Sequence, residues 1–311
     1  MRVTHGSIAP GVGPQALTIG NFDGVHRGHL AMLERAVARA RDLSVPACVL
    51  TFEPHPREFF SPATAPSRLT RLRDKLELMA AAGVARVHVA RFDARLAALP
   101  AERFIEDVVS RGLRAAWLLV GRDFRFGARR AGDFALLERL AGQHGFELEA
   151  MPEVALHGER VSSSAVRAAL AAGDLAAAER LLGRPYTMSG RVAHGEKLGR
   201  ELGFPTANIV LRRKPPLAGV FVVECRLEGE AHWRPAVASV GRRPTVNPSA
   251  VPLLEVHLLD YGGELYGWHL QAKFLARLRD EEKYDGVEAL RAAIARDAAQ
   301  ARTYFSKKQN G

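Results

Sequence analysis

Two histidines three residues apart, His26 and His29, stand where the chain is set up to handle phosphate. They belong to Leu17-Thr18-Ile19-Gly20-Asn21-Phe22-Asp23-Gly24-Val25-His26-Arg27-Gly28-His29-Leu30, where a short apolar strand breaks at two glycines and runs into an amphipathic helix. Positions three apart share one face of a helix, so both imidazoles can point at one object. The helix N-terminus adds unpaired N–H groups and the positive end of a dipole, which together favour a phosphate. Downstream, Arg160-Val161-Ser162-Ser163-Ser164-Ala165-Val166-Arg167 offers serines that can cap a second helix. Arg167 falls about one turn inside that helix, close to its anion-binding end.

The C-terminal half carries a different chemistry. Gly190, Gly195, Gly199 and Gly203 fall within about fourteen residues that also hold Lys197, and such a loop can approach phosphates with its backbone. It lacks the Gly-Lys-Ser/Thr ending of a P-loop. In Pro205-Thr206-Ala207-Asn208, an extended chain puts the Thr206 hydroxyl and the Asn208 amide on one side. Hard oxygen ligands of this kind suit Mg²⁺, which prefers phosphates and waters to a full protein cage. Further on, alternation in Leu253-Leu254-Glu255-Val256-His257-Leu258-Leu259 puts Glu255 and His257 on one face. That face is either simply wetted, with Glu255 paired to a cross-strand arginine, or presents a general base. As a base, Glu255 would deprotonate an alcohol attacking the γ-phosphate of ATP.

The elements that must hold these residues follow from periodicity. Leu30, Leu33, Val37 and Ala40 form the stripe of a helix from about Gly28 to Leu43, with arginines opposite. Ala47 to Phe52 is a buried-strand run ending in Glu53-Pro54-His55-Pro56, whose two prolines predict an extended, non-helical loop. Leu69, Leu72, Leu76 and Met79 mark a helix stopping at Gly83, and Phe104, Ile105 and Val108 another ended by Gly112. Arg86–Arg91 and Ala116–Val120 read as strands, and Asp133 as the cap of a helix carrying Leu136, Leu137 and Leu140. Strands alternating with helices predict a parallel doubly wound sheet, which binds ligands at the strand C-termini. After a short helix, Leu175 to Leu182, Pro185 marks a joint, and the period then falls towards two. Thr187–Val192, Val220–Leu227, Pro235–Val240, Leu253–Leu259 and Leu270–Leu278 predict a small antiparallel barrel, followed by a helix packing through Val287, Leu290, Ile294 and Ala298. The domains are therefore read as 1–185 and 186–311.

Composition narrows the class. A chain of 311 residues with 47% apolar and 25% charged residues has room for two ordinary cores. No apolar run reaches membrane-spanning length and no secretory h-region is visible, so a cytoplasmic protein is expected. Cys48 and Cys225 read as two buried thiols in a reducing compartment. The net charge of +10 is spread over helices, as in Arg35, Arg39 and Arg41, which favours anionic small molecules over nucleic acid.

His26-Arg27-Gly28-His29 with the serine-arginine segment resembles the nucleotidyltransferase superfamily. The resemblance implies that His26 and His29 donate to the triphosphate of ATP while Ser163, Ser164 and Arg167 clamp its far end. Gly20–His26, Thr51-Phe52-Glu53-Pro54-His55-Pro56 and Val120-Gly121-Arg122-Asp123-Phe124-Arg125-Phe126-Gly127 are similar to the adenylyltransferase module of bacterial bifunctional riboflavin kinase/FAD synthetases. That likeness implies that Gly20, Asn21, Phe22, Asp23 and Gly24 line the ATP turn. It makes Phe52, Pro54, His55, Pro56 and Phe126 flavin contacts, with Phe126 alternatively an anchor of its own loop. Asp123, where some relatives carry Asn, accepts but cannot donate at the adenosine.

The glycine loop, Gly219-Val220-Phe221, Ser239-Val240-Gly241-Arg242-Arg243-Pro244-Thr245 and Leu265-Tyr266-Gly267 resemble the riboflavin kinase module of the same family. This implies a six-stranded barrel in which Thr206 and Asn208 bind Mg-ATP, Glu255 activates the riboflavin 5′-hydroxyl, and Arg279 with Tyr284 lies in a segment closing over flavin. The expected substrates are ATP, riboflavin and FMN, with Mg²⁺ and no nucleic-acid or membrane partner. Two rivals remain open at this point: a chain with one active module, and a flavin- or RNA-binding regulator.

Overall fold

A computed structural model describes residues 1–6, 13–156, 158–194, 203–241 and 251–309. Its contacts divide the chain into two compact units, Met1–Pro66 with Leu72–Ser162, and Ser67–Arg71 with Ser163–Gly311.

The first unit is built on a six-stranded parallel sheet ordered β1-β4-β3-β2-β5-β6. Its strands are β1 (Arg2–Gly6), β2 (Gln15–Ile19), β3 (Ala47–Glu53), β4 (Arg86–Arg91), β5 (Ala115–Gly121) and β6 (Glu147–Met151), and a separate short hairpin of β7 (Ala155–Leu156) and β8 (Glu159–Arg160) follows them in the chain. Helices α1 (Arg27–Asp42), α2 (Pro56–Phe60), α3 (Leu72–Ala81), α4 (Ala94–Ala97), α5 (Ala101–Arg103) and α6 (Phe134–His144) connect them. The central strands are apolar on both sides because both sides are covered. Leu17, Ile19, Leu50, Leu118 and Val120 pack on Ile105, Val109 and Leu137. Ala16, Trp117 and Leu119 meet Ala36 and Ala40, while Val49 and Val87 meet Leu33 and Met79.

One local reading needs correction, and a second, the helix ended by Gly112, stands with a change of helix type. Pro56 does not extend the loop but starts α2, with His55 as N-cap and Glu58 completing a capping box. A proline at the first helical position loses nothing, since that N–H has no intrahelical partner anyway. The apolar run after α5 is π-helical from Phe104 to Gly112 and closes with Leu113 N–H donating to the Val108 carbonyl at 2.9 Å. A third finding is a displacement: Leu69 lies outside α3, in the segment Ser67–Arg71 that groups with the second unit.

The second unit begins with α7 (Ser163–Ala171) and α8 (Leu175–Leu182). Asp174 caps α8 through Ala177 N–H at 2.8 Å, and Gly183, at φ 79°, ends it where a Cβ would be strained. Strands β9 (Thr187–Arg191), β10 (Ala207–Val210), β11 (Gly219–Leu227), β12 (Arg234–Gly241), β13 (Leu253–Leu258) and β14 (His269–Arg279) form an antiparallel sheet ordered β10-β13-β12-β11-β14-β9. A bridge between Ala193 and Asn208 brings the two edges together, so the sheet curls into a barrel. Helix α9 (Val287–Gln309) lays Ala298, Ala301 and Phe305 on Val220, Val222 and Val237. Within the same unit Arg167 Nε donates to Ser67 O (2.7 Å), the Tyr186 hydroxyl to Leu69 O (3.1 Å) and Arg71 Nη2 to Val210 O (3.0 Å). Both cysteines are buried free thiols, one in each unit.

Candidate active sites

The phosphate turn leaves β2 at the C-terminal edge of the parallel sheet. His26 is the N-cap of α1, its Nδ1 accepting from His29 N–H at 3.3 Å. That bond makes Nδ1 the acceptor, so the neutral ring carries its proton on Nε2. The His26 and His29 rings stack 3.7 Å apart at 16°, and Phe22 lies 5.0 Å from His29. The structure thus brings the two imidazoles together as one pair. Gly28 lets them in: a Cβ there would stand 3.3 Å from the His26 ring.

Between β2 and α1 the backbone turns left-handed at Phe22 (φ 49°), Gly24 (φ 89°) and Val25 (φ 41°). For Phe and Val this costs about 1–2 kcal/mol each. Both side chains are fully buried in the sheet core, which offsets the cost. Phe22 thus supports the turn from below, and Asp23 is buried too. The Asn21 carbonyl accepts from Lys75 Nζ at 2.6 Å and from Thr51 Oγ1 at 3.3 Å.

The second loop forms an aromatic face. Phe52, at the end of β3, meets Phe92 edge-on at 5.9 Å, and Phe59 and Phe60 also pack edge-to-face against Phe92 at 5.5 and 5.6 Å. Phe60 is 62% exposed. Phe59, Phe60 and Phe92 were not singled out from sequence; a phenylalanine pair after a proline-rich turn was the available signal. Pro54 follows a cis peptide bond and His55 Nδ1 caps α2 by accepting from Arg57 N–H at 3.1 Å.

In the third loop, Asp123 accepts from Arg160 at 2.6 Å and packs back over Gly121. Phe126 is 6% exposed, with its ring 5.4 Å from Phe124 and 5.6 Å from Phe104. This is the packing expected of a loop anchor. Ser163 and Ser164 open α7, and Arg167 binds the Ser67 carbonyl; all three belong to the second unit.

On the barrel, the register places Glu255 directly opposite Asn208 on one side and Ser239 on the other. Directly opposed side chains on one sheet face lie about 5 Å apart at Cβ. The directly opposed cross-strand neighbours of Glu255 are therefore an amide and a hydroxyl. Asn208 is 7% exposed; its Nδ2 donates to Thr206 O at 3.4 Å, and its Oδ1 is buried with no hydrogen-bond partner among the described residues. A buried acceptor left in this way calls for a donor or a cation. No group of three or more His, Cys, Asp or Glu among the described residues could hold a metal. The donor set fits an Mg²⁺ carried mainly by phosphates.

Glu281, unread in the sequence because it sits in an acidic run, folds its carboxyl over Gly241. Burial first, then the charge of Glu255, holds its pKa above the ordinary carboxylate value. Arg279 donates from Nε and Nη2 to Asp297 of α9 at 3.0 and 2.7 Å, and from Nη1 to the Asp280 carbonyl at 2.9 Å. It thus ties the end of β14 to α9. Tyr284 lies 5.8 Å from that guanidinium. Gly190 faces Arg71 and Ile209 so closely that a Cβ would overlap both, and Gly203 turns left-handed at φ 83°. Gly195, Lys197, Gly199 and the segment 242–245 lie outside the described residues.

A histidine-capped turn at the edge of a parallel sheet, followed in the chain by a barrel on which Asn208 stands opposite Glu255, suits a two-part nucleotide-dependent transferase. The FAD synthetase family model matches residues 12–165 and the riboflavin kinase family model residues 182–305. The chain is 49% identical over 290 residues to the bifunctional riboflavin kinase/FMN adenylyltransferase of Escherichia coli K12, covering 93% of this chain and 92% of that one. The Pseudomonas fluorescens protein of that name is 50% identical over 92% and 91%, and that of Haemophilus influenzae 44% over 94% of each. The chain belongs to the bifunctional riboflavin kinase/FMN adenylyltransferase family. A crystal structure described as a macrolide-efflux protein from Streptococcus pneumoniae has the same fold, with a TM-score of 0.79, 27% identity, and coverage of 97% of this chain and 99% of that one. No described helix here is long and apolar enough to cross a membrane.

Proposed function

We propose that this chain makes FMN from riboflavin and ATP on the barrel, then FAD and pyrophosphate from FMN and a second ATP on the parallel sheet. The observation that carries this reading is the presence on one chain of both built sites, the Asn208–Glu255 pair and the His26-capped turn. In the first step Glu255 takes the proton of the riboflavin 5′-hydroxyl as its oxygen attacks the γ-phosphorus, and ADP leaves. Asn208 Oδ1 and the Thr206 hydroxyl would hold Mg²⁺, and the glycine segment 190–203 would cover the phosphates. Mg²⁺, when bound, neutralises charge on the triphosphate. In the second step an FMN phosphate oxygen attacks the α-phosphorus of ATP and the bond to pyrophosphate breaks. His26 and His29 donate to the charge that develops there. Ser163, Ser164 and Arg167 hold the departing end, and Asp123 faces the adenosine. Phe52, Pro54, His55 and Pro56, with Phe60, offer flat faces for the flavin, and Phe126 anchors the third loop. We place the functional boundary at 185/186 and the protein in the cytoplasm, with no nucleic-acid partner.

Incubation with riboflavin, ATP and Mg²⁺, followed by chromatography of the flavins, should yield both FMN and FAD. Glu255→Gln should abolish FMN formation and leave FMN-to-FAD conversion near normal, whereas His29→Ala should slow FMN-to-FAD conversion about 100- to 1,000-fold, leaving a measurable remnant, with FMN formation near normal. FMN accumulating alone from the parent chain sinks the second activity. Either variant damaging both steps equally while folded sinks the separation of the sites.

A further inference from the structure

We propose that Lys75 is a positioning residue for adenylyl transfer: with Thr51 it clamps the Asn21 carbonyl and so holds the turn that aims His26 and His29. This rests on the reading of the first unit as the adenylyltransferase.

Lys75 sits in the middle of α3 and is 1% exposed. An ammonium group is costly to bury unless it is hydrogen-bonded to something that needs it. It points at the turn, and its Nζ lies 2.6 Å from the Asn21 carbonyl oxygen. Thr51, fully buried on β3, donates to the same oxygen at 3.3 Å from a different element. Two donors from two elements thus converge on a single carbonyl.

The position of that carbonyl explains why it needs holding. The ladder between β2 and β3 ends with Gly20 N–H donating to the Leu50 carbonyl at 3.1 Å. Beyond it, Phe22 and Val25 adopt left-handed backbone that side chains of their size avoid. The turn's own closing bond, Val25 N–H to Phe22 O, is long at 3.4 Å. Buried side chains and the clamp at Asn21 therefore set the path from strand to helix. If the carbonyl is released, the Phe22 peptide can relax. The His26 cap shifts with it, since His26 stands four residues after Phe22. Misplacing a catalytic group by about 1 Å can cost on the order of 100-fold in rate.

The test is steady-state kinetics of FAD formation in the full-length chain, with FMN formation as internal control. Lys75→Met should lower kcat for FAD formation about tenfold or more while KM for ATP and FMN changes little, because positioning is felt in the transition state. FMN formation should be unchanged. Thr51→Val should act in the same direction, more weakly. Because Lys75 acts through the histidines, Lys75→Met in a His29→Ala background should add no further loss. Unchanged kcat in both single variants overturns the proposal. Losses that multiply in the double variant overturn it too, because Lys75 would then act on substrate directly. If Lys75→Met does not fold, Thr51→Val alone and with His29→Ala decides on the same criteria. A parent chain that makes no FAD would instead refute the adenylyltransferase reading itself.

Discussion

An exposed aromatic ring can be removed at little cost to the fold, which makes Phe60 a direct probe of the flavin face. At 62% exposure it packs on Phe59 and Phe92 and leaves much of its ring to solvent. Phe60→Ala should leave the melting temperature nearly unchanged. It should raise KM for FMN in the adenylyl step by roughly 2- to 10-fold, the worth of a stacked aromatic pair of about 0.5–1.5 kcal/mol. Initial rates over an FMN series check this, with the riboflavin kinase step unaffected. At this scale the sequence was read well where spacing carries the signal, as at His26 and His29, whose rings do meet. It was read poorly where burial decides. Lys75 looks like any solvated lysine of an amphipathic helix, and Glu281 like one of three surface acids.

Among the elements, strands with strict alternation were legible to within a residue or two, as β11 to β14 show. The short and polar ones were not: β1 is an edge strand of mostly exposed residues, and β10 has four residues following a proline-bearing loop. β1 is held to β4 partly by His88, whose Nδ1 lies 2.8 Å from Thr4 Oγ1 and whose Nε2 lies 3.2 Å from the Gly6 carbonyl. Burial holds the His88 pKa below the usual histidine value, against a smaller opposing pull from the Gly6 hydrogen bond. Below about pH 6.5 the unfolded chain binds a proton there that the folded chain refuses, so acidification through that window favours unfolding. Melting temperatures measured from pH 7.5 down to 5 should fall, and His88→Gln should flatten the slope over that window. An unchanged slope in the variant assigns the effect to other groups.

At the scale of the whole molecule, the division into a parallel α/β half and an antiparallel barrel was legible because the apolar period changes at Tyr186. The grouping of Ser67–Arg71 and of α7 and α8 with the barrel was not. Family likeness runs along the chain, whereas contacts ignore chain order. The arginines of α1, read as a solvated face, also do more than carry charge. Arg35 reaches Glu149 at 2.8 Å and Arg39 pairs with Glu147, bracing α1 against β6. Exposed pairs of this kind are worth little individually, so the net charge of +10 remains a property of the surface.

The two buried cysteines have a practical consequence. Burial pushes the Cys48 thiol up to about 12, and burial with the neighbouring Glu224 charge raises Cys225 as well. Neither offers a thiolate near neutral pH, so neither should react with maleimide until the chain is unfolded. The native protein is in effect cysteine-free towards alkylating dyes. A cysteine introduced at an exposed position on either half would be the sole labelling handle, and mass spectrometry should find one adduct before denaturant and three after. A fluorophore pair could then be attached with one site chosen in each half, without first removing either native cysteine.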